Sequence, residues 1–165
     1  MSAYKNIIWD WNGTILNDAW VFVDVMNVLL KQKRLPLITL EHYRQNFCFP
    51  IQSYWRKLGF RFKEDTFNGL NTNFIDEYKQ KMFFPSLHKG LKVLLKKLRV
   101  QGARQFVLSA SESCLLKKAV TYYRLDSFFS GVYGVNNLNA VGKEALGLLL
   151  CKEHQLPPNE TLLIG

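Results

Sequence analysis

The spacing of hydrophobic residues divides the chain into strand-like and helix-like segments. Continuous apolar runs at 7–9, 105–108 and 161–164 predict short strands of a parallel sheet, because such strands are buried on both faces. The run 128–135 predicts one further short strand. Helical spacing of apolar residues separates these runs. The order of the segments therefore predicts an α/β fold with a parallel sheet.

Between the first two strands lies a long stretch in which only helical spacing occurs. It predicts helices near 19–34, 39–50, 52–58 and 64–82. A crossover between parallel strands needs only about a dozen residues, so this stretch predicts an inserted helical domain. We expect the core to comprise residues 1–17 and 84–165, and the insert to comprise residues 18–83.

The remaining helices are expected after Pro85, from 112 to 125 and from 143 to 154. The first of them carries leucines at helical spacing from Leu87 onwards, and Gly102 closes it. The last is expected to turn Leu148, Leu149 and Leu150 inward. Asp18 and Ser111 stand where side chains cap the following helices.

Composition restricts the class of protein. The 165 residues carry a net charge of +9, which favours anionic partners, but the basic residues are scattered along helix faces, so no nucleic-acid partner is expected. The three cysteines lack metal-site spacing and argue against disulfides. No apolar run approaches the roughly 20 residues of a membrane span, and no secretory signal is present. We expect a cytoplasmic protein without a membrane partner.

Polar residues follow the predicted strands at the sheet edge where open α/β folds bind ligands. Asp10, Asn12, Gly13 and Thr14 come directly after the first strand, and Gly13 allows a sharp turn close to an anion. The same residues also suit an ordinary turn. Ser109 follows the second strand, where it could equally cap a helix.

Lys143 stands at the start of a predicted helix, after the loop 134–140. The helix dipole disfavours a cation there, and binding of an anion would explain the placement. A surface lysine is the alternative.

The segment Asp10-Trp-Asn-Gly-Thr14 resembles the first motif of the haloacid dehalogenase (HAD) superfamily, in which Asp-x-Asp-Gly-Thr follows a strand. Ser109 with Ala110 resembles the second motif, and Lys143 resembles the third. The segment 161–165 is similar to the strand that leads to the fourth. The phosphoglycolate-phosphatase-like branch is the most similar. The resemblance implies a Rossmann-like, three-layer core with an all-helical cap at 18–83.

The resemblance also implies an activity, namely Mg²⁺-dependent hydrolysis of a small phosphate monoester through a phospho-aspartyl intermediate. Asp10 would be the nucleophile and a metal ligand, and the backbone carbonyl of Asn12 a second ligand. Lys143 would offset the phosphate charge. The phosphate-binding positions implied are those that match the motifs, namely Gly13, Thr14, Ser109, Ala110 and Lys143.

Two departures from the family pattern keep other functions open. Asn12 replaces the family's second aspartate, whose acid/base work an amide cannot do. The fourth motif's aspartates have no counterpart, which suggests truncation and self-association through an unfinished sheet edge. One alternative is a non-catalytic HAD-like protein that binds a phosphate ligand or a partner. Another is a phosphonatase-like hydrolase with a cap lysine, for which Lys31, Lys33 and Lys57 qualify by residue type only.

Overall fold

The computed structural model describes residues 4–48, 50–135 and 143–165, apart from the side chains of residues 64–66. Its strands form one parallel sheet in the order β3-β2-β1-β4. The strands are β1 (Asn6–Trp9), β2 (Arg104–Glu112), β3 (Gly131–Val135) and β4 (Thr161–Ile164). β1 is an inner strand, so the residues that follow it leave the sheet between two neighbouring strand ends.

Helices connect the strands and form the insert. They are α1 (Ala19–Gln32), α2 (Leu40–Asn46), α3 (Ile51–Lys57), α4 (Glu64–Lys81), α5 (Leu91–Val100), α6 (Ser113–Tyr122) and α7 (Glu144–Glu153). Short 3₁₀ helices cover Asp126–Phe128 and Pro158–Glu160. No helix in the described ranges is long and apolar enough to span a membrane.

The sheet is the middle of three layers. One face packs against α5 and α6 through Ile7, Trp9, Val107, Leu95 and Leu116. The other face packs against α7 and the segment after it through Ile8, Phe106, Leu108, Leu150 and Leu156. Burial on both faces explains the continuous apolar runs in the two inner strands, Ile7 to Trp9 of β1 and Phe106 to Leu108 of β2. The predicted α/β class with a parallel sheet is confirmed.

The helices α1 to α4 have a hydrophobic core of their own. Its fully buried members include Val21, Met26, Leu30, Tyr54, Trp55 and Phe67. Tyr78 of α4 packs partly against this core and partly against the core of the sheet. The insert is therefore an all-helical unit, and Tyr78 lies where the two cores meet.

Three details of the prediction are wrong. α5 begins at Leu91 rather than at Leu87, because Gly90 adopts a left-handed φ of +82° before it and Leu87 pairs with Leu16 in an antiparallel bridge. β2 extends past Leu108 to Glu112, with an irregular register against β3 after Ser109. Leu148 and Leu149 face outward, 74% and 46% exposed, because α7 reaches the sheet through Leu150 on its other side.

Candidate active site

Asp10 and Lys143 form an ion pair at the carboxyl edge of the sheet. Lys143 Nζ lies 2.6 Å from Asp10 Oδ1, and both side chains are about one-quarter exposed. The backbone N–H of Asp10 donates to Ile164 O at 2.8 Å, which holds the residue beside the end of β4. A Cβ atom on Gly165 would approach Asp10 Cβ to 2.9 Å, so the glycine leaves room for the carboxylate. The two residues predicted from separate motifs are thus in contact.

The residues after Asp10 form a tight turn. The carbonyl oxygen of Trp11 accepts hydrogen bonds from the backbone N–H groups of Ile15 and Leu16 at 3.0 Å. Gly13 occupies the left-handed region with φ +75°, which other residues adopt at a cost. Gly13 borders the cavity described below, whereas Thr14 lies in the turn and is absent from the described cavity lining.

The side-chain amide of Asn12 is held on both sides. Its Nδ2 donates to the Asp18 carboxylate and, at 2.9 Å, to the Tyr78 hydroxyl. Its Oδ1 accepts a hydrogen bond from Ser111 Oγ at 2.7 Å and a longer one from Ser109 Oγ at 3.4 Å. These contacts orient the amide, with its NH₂ toward Asp18 and its oxygen toward the end of β2.

Asp18 is a buried carboxylate, 3% exposed, under the turn. Oδ1 accepts from the Gly13 N–H at 2.8 Å, and Oδ2 accepts from the Tyr78 hydroxyl at 2.7 Å. Burial raises the pKa of this carboxyl above 3.8, and the hydrogen bonds from Asn12, Tyr78 and Gly13 oppose that rise. Asp18 precedes α1, but its side chain makes no capping hydrogen bond, so the predicted capping role is wrong.

The end of β2 brings the second predicted motif to the same place. Ser109 is 1% exposed, and its Oγ accepts the Ser111 N–H at 3.0 Å. Ala110 borders the cavity beside it. Ser111 is not the cap of α6, since Glu112 holds that position and Ser111 Oγ turns to Asn12 instead.

The site also contains residues that the sequence did not indicate. His88 Nε2 lies 3.2 Å from the Gly13 carbonyl oxygen. The segment before it is tied to the turn, because the Asn17 N–H donates to Ser86 O at 2.9 Å. The sequence does not indicate Tyr78 as a site residue, because a tyrosine at helical spacing looks like a core residue. Residues 136–142 of the predicted loop before Lys143 lie outside the described residues.

A cavity of about 440 Å³ opens from this edge of the sheet into the helical insert. Asp10, Asn12, Ser109 and Lys143 border its polar part. Helices α1 to α4 supply mostly aromatic and aliphatic walls. The volume falls in the usual range of small-molecule sites, about 300–1,000 Å³.

The polar end of the cavity could bind a magnesium ion, but with few ligands from the protein. The carboxylate of Asp10 and the backbone carbonyl of Asn12 are hard oxygen donors of the kind that Mg²⁺ prefers. This ion commonly keeps water and substrate phosphate as its other ligands. Asp18 is unsuitable, because both of its oxygens accept hydrogen bonds from the protein. The part of the chain that the structure describes has no cluster of three His, Cys, Asp or Glu residues with metal-site geometry.

The fold and the polar residues at its strand ends define a hydrolase of the haloacid dehalogenase type. The chain belongs to the haloacid dehalogenase-like hydrolase family, whose model matches residues 7–165. The resemblance inferred from the motifs is therefore confirmed.

Solved structures share the fold at low sequence identity. A predicted phosphoglycolate phosphatase of Haemophilus somnus 129pt matches 100% of this chain and 78% of its own, with 21% identity and a TM-score of 0.78. A predicted phosphatase from Clostridium acetobutylicum matches 99% of this chain and 76% of its own, with 20% identity and a TM-score of 0.83. A haloacid dehalogenase-like hydrolase from Streptococcus pneumoniae gives 19% identity and a TM-score of 0.81, over 100% and 77% of the two chains. No curated protein matches the chain.

Proposed function

We propose that this chain is a phosphatase that hydrolyses phosphate monoesters with Asp10 as the nucleophile. The observation that carries the proposal is the 2.6 Å contact between Lys143 Nζ and Asp10 Oδ1 at the polar end of the cavity. A carboxylate alone would repel a phosphate dianion, and a cation beside it offsets that repulsion. The family and the motif order support the same chemistry.

In the proposed reaction an Asp10 oxygen attacks phosphorus, and the bond from phosphorus to the leaving alkoxide breaks. The alkoxide takes a proton from water, and a second water then hydrolyses the aspartyl phosphate to release inorganic phosphate. Lys143 stabilises the negative charge. Gly13, Ser109 and Ala110, which line the cavity, would border the phosphoryl group, and Thr14 would support the turn.

A magnesium ion fits this proposal. Asp10 and the backbone carbonyl of Asn12 would hold it, and the ion would supply further neutralisation of phosphate charge. With so few protein ligands, we expect weak metal affinity that substrate phosphate strengthens. Addition of a chelator should abolish turnover, and added Mg²⁺ should restore it.

We further propose that residues 18–83 act as a cap over the core formed by 1–17 and 84–165. The separate hydrophobic core of α1 to α4 supports this division.

The free cysteines Cys48, Cys114 and Cys151 support a cytoplasmic location. The partner in this proposal is a small phosphorylated metabolite rather than nucleic acid or a membrane.

A non-catalytic, phosphate-binding role is the second candidate. It is favoured by Asn12, whose amide is held by Asp18 and Ser111 and supplies no proton-transferring carboxylate. Such a protein would bind orthophosphate at Lys143 without turnover.

Hydrolysis of p-nitrophenyl phosphate with Mg²⁺ separates the two candidates. Asp10→Asn should reduce the rate on the order of 10³-fold, because the nucleophile is lost. Asp24→Asn is the matched control, since Asp24 is an exposed aspartate of α1 that pairs with Lys81. Turnover that persists unchanged in Asp10→Asn would refute the enzymatic proposal. Orthophosphate binding without any turnover would support the second candidate.

A further inference from the structure

Outside its polar end, the cavity has walls that are rich in aromatic side chains. There the helical insert contributes the rings of Phe22, Tyr43, Phe47, Phe74 and Tyr78. Helix α6 adds the apolar side chain of Leu115 to the lining. A group that leaves water for this space therefore meets mostly apolar surface.

The rings form a continuous path that starts at the catalytic motif. The Tyr78 hydroxyl lies 2.9 Å from Asn12 Nδ2, and its ring stacks against Phe74 with centroids 6.3 Å apart and an interplanar angle of 14°. Phe74 in turn lies 4.9 Å from Phe22, which lies 4.6 Å from Tyr43. A phosphate at Asp10 would thus place its ester group at the beginning of an aromatic surface.

The basic side chains of the cavity lining offer little to a second anionic group. Among the described lining residues they are Lys143, Arg44 and His88. Lys143 is paired with Asp10, and His88 contacts the Gly13 carbonyl. Arg44 lies on the exposed side of α2. A substrate carboxylate among the rings would lose its hydration without a buried cation in exchange, which is unfavourable.

We propose that the site takes phosphate monoesters whose alcohol carries an aromatic ring, in preference to short phospho-acids such as phosphoglycolate. The inference rests on the proposed phosphatase function and specifies its substrate class. Stacking and edge-to-face contacts with Phe22, Phe74 and Tyr78 would hold the ring, while Lys143 holds the phosphate. Burial of one ring at about 25 cal/mol per Å² suffices for a preference of at least tenfold.

Benzyl phosphate and ethyl phosphate are suitable test substrates, because both release simple alcohols and differ mainly in the ring. We expect kcat/KM for benzyl phosphate to exceed that for ethyl phosphate and for phosphoglycolate by at least about tenfold. In Phe22→Leu, which keeps an apolar wall but removes the ring, the benzyl-to-ethyl ratio should fall severalfold. Phe84→Leu is the control, since Phe84 is 71% exposed and lies outside the described lining.

Binding measurements make the test independent of turnover. Calorimetry with Mg²⁺ should show that benzylphosphonate binds at least about tenfold more tightly than methylphosphonate to the unaltered chain. Equal hydrolysis of benzyl and ethyl phosphates, or a preference for phosphoglycolate, would overturn the inference and leave the phosphatase proposal intact. Absence of all hydrolysis would refute the phosphatase proposal, and the ratio of the two phosphonate affinities would then decide the inference alone.

Discussion

Asn12 occupies the position of the family's second aspartate, yet its surroundings in this chain are built for an amide. Its NH₂ donates to the buried Asp18 carboxylate, and its oxygen accepts from Ser111. A carboxylate at position 12 would face Asp18 as a second anion. An amide at position 12 thus suits the buried Asp18 carboxylate beside it.

Asn12→Asp should destabilise the fold rather than restore the family arrangement. It removes a hydrogen bond to a charged group and adds like-charge repulsion, which predicts a loss of about 2 kcal/mol at neutral pH. The double variant Asn12→Asp/Asp18→Asn should recover most of that loss, because the donor and the acceptor exchange places. Urea unfolding of the three proteins measures the difference. An Asn12→Asp variant as stable as the unaltered chain would contradict the argument.

Asp18 should also give the stability a specific pH dependence. Burial raises its folded-state pKa above 3.8, so the folded chain binds this proton more tightly than the unfolded chain. The corresponding stabilisation is complete below pH 3.8 and is lost as the pH rises through the folded-state pKa. Asp18→Asn removes the titration. The stability of the unaltered chain relative to Asp18→Asn should therefore decrease as pH rises from about 4, which urea unfolding at several pH values can measure. An increase with pH would contradict the argument.

At the scale of residues, the sequence indicates the proposed catalytic residues better than the residues that contact and orient them. Asp10 and Lys143 match separate motifs of the haloacid dehalogenase resemblance, and the ion pair between them agrees with that match. Asp18 and Ser111 look like helix caps in the sequence, because capping and site-supporting residues have the same chemical types. Only the tertiary contacts with Asn12 and Tyr78 distinguish the two roles.

At the scale of elements, the site depends on how closely β3 approaches the irregular end of β2. A Cβ atom on Gly134 would lie 2.7 Å from Ser111 O and 2.7 Å from Ser113 Cα. Both are backbone atoms and cannot rotate away as a side chain could, so the end of β2 would have to move. Gly134 thus allows the segment that carries Ser109 and Ser111 to lie where it contacts Asn12.

Gly134→Ala should destabilise the chain by about 1–3 kcal/mol through overpacking, and should also lower phosphatase activity by displacing Ser111. Gly69→Ala is the matched control, because nothing lies within 4 Å of a Cβ atom at that helical position. There alanine should add about 0.5–1 kcal/mol through its higher helix propensity. Thermal unfolding and the p-nitrophenyl phosphate assay measure both effects. Equal stability of the two variants would refute the proposed close approach.

Element boundaries show the same division between local and tertiary information. The two inner strands and the helix α1 follow from periodicity, since β1 and β2 bury continuous apolar runs and α1 buries a stripe of apolar residues. The start of α5 does not follow, because Leu87 continues the leucine stripe although it pairs with Leu16. The outward position of Leu148 likewise depends on which side of α7 the sheet occupies.

At the scale of the whole molecule, two hydrophobic cores share a boundary at the site. Tyr78 packs against both and donates to Asp18, so the helical insert contacts the catalytic turn directly. The cavity lies along this boundary, with charge on the side of the sheet and rings on the side of the insert. In the proposed phosphatase, the catalytic motif and the substrate-binding surface would thus come from different parts of one chain.

The sheet also presents an edge that bears on assembly. Within the described residues β4 pairs only with β1, and Leu163 is 57% exposed. An edge strand leaves backbone N–H and C=O groups open for pairing with another chain. We predict concentration-dependent self-association of the 165-residue chain, measured by sedimentation velocity.

Leu163→Lys should weaken this self-association, because a charged edge opposes strand pairing. Leu148→Lys is the control for general adhesion, since Leu148 is 74% exposed on α7 rather than on the edge. Dissociation by Leu148→Lys but not by Leu163→Lys would place the contact on the helix and contradict pairing through β4.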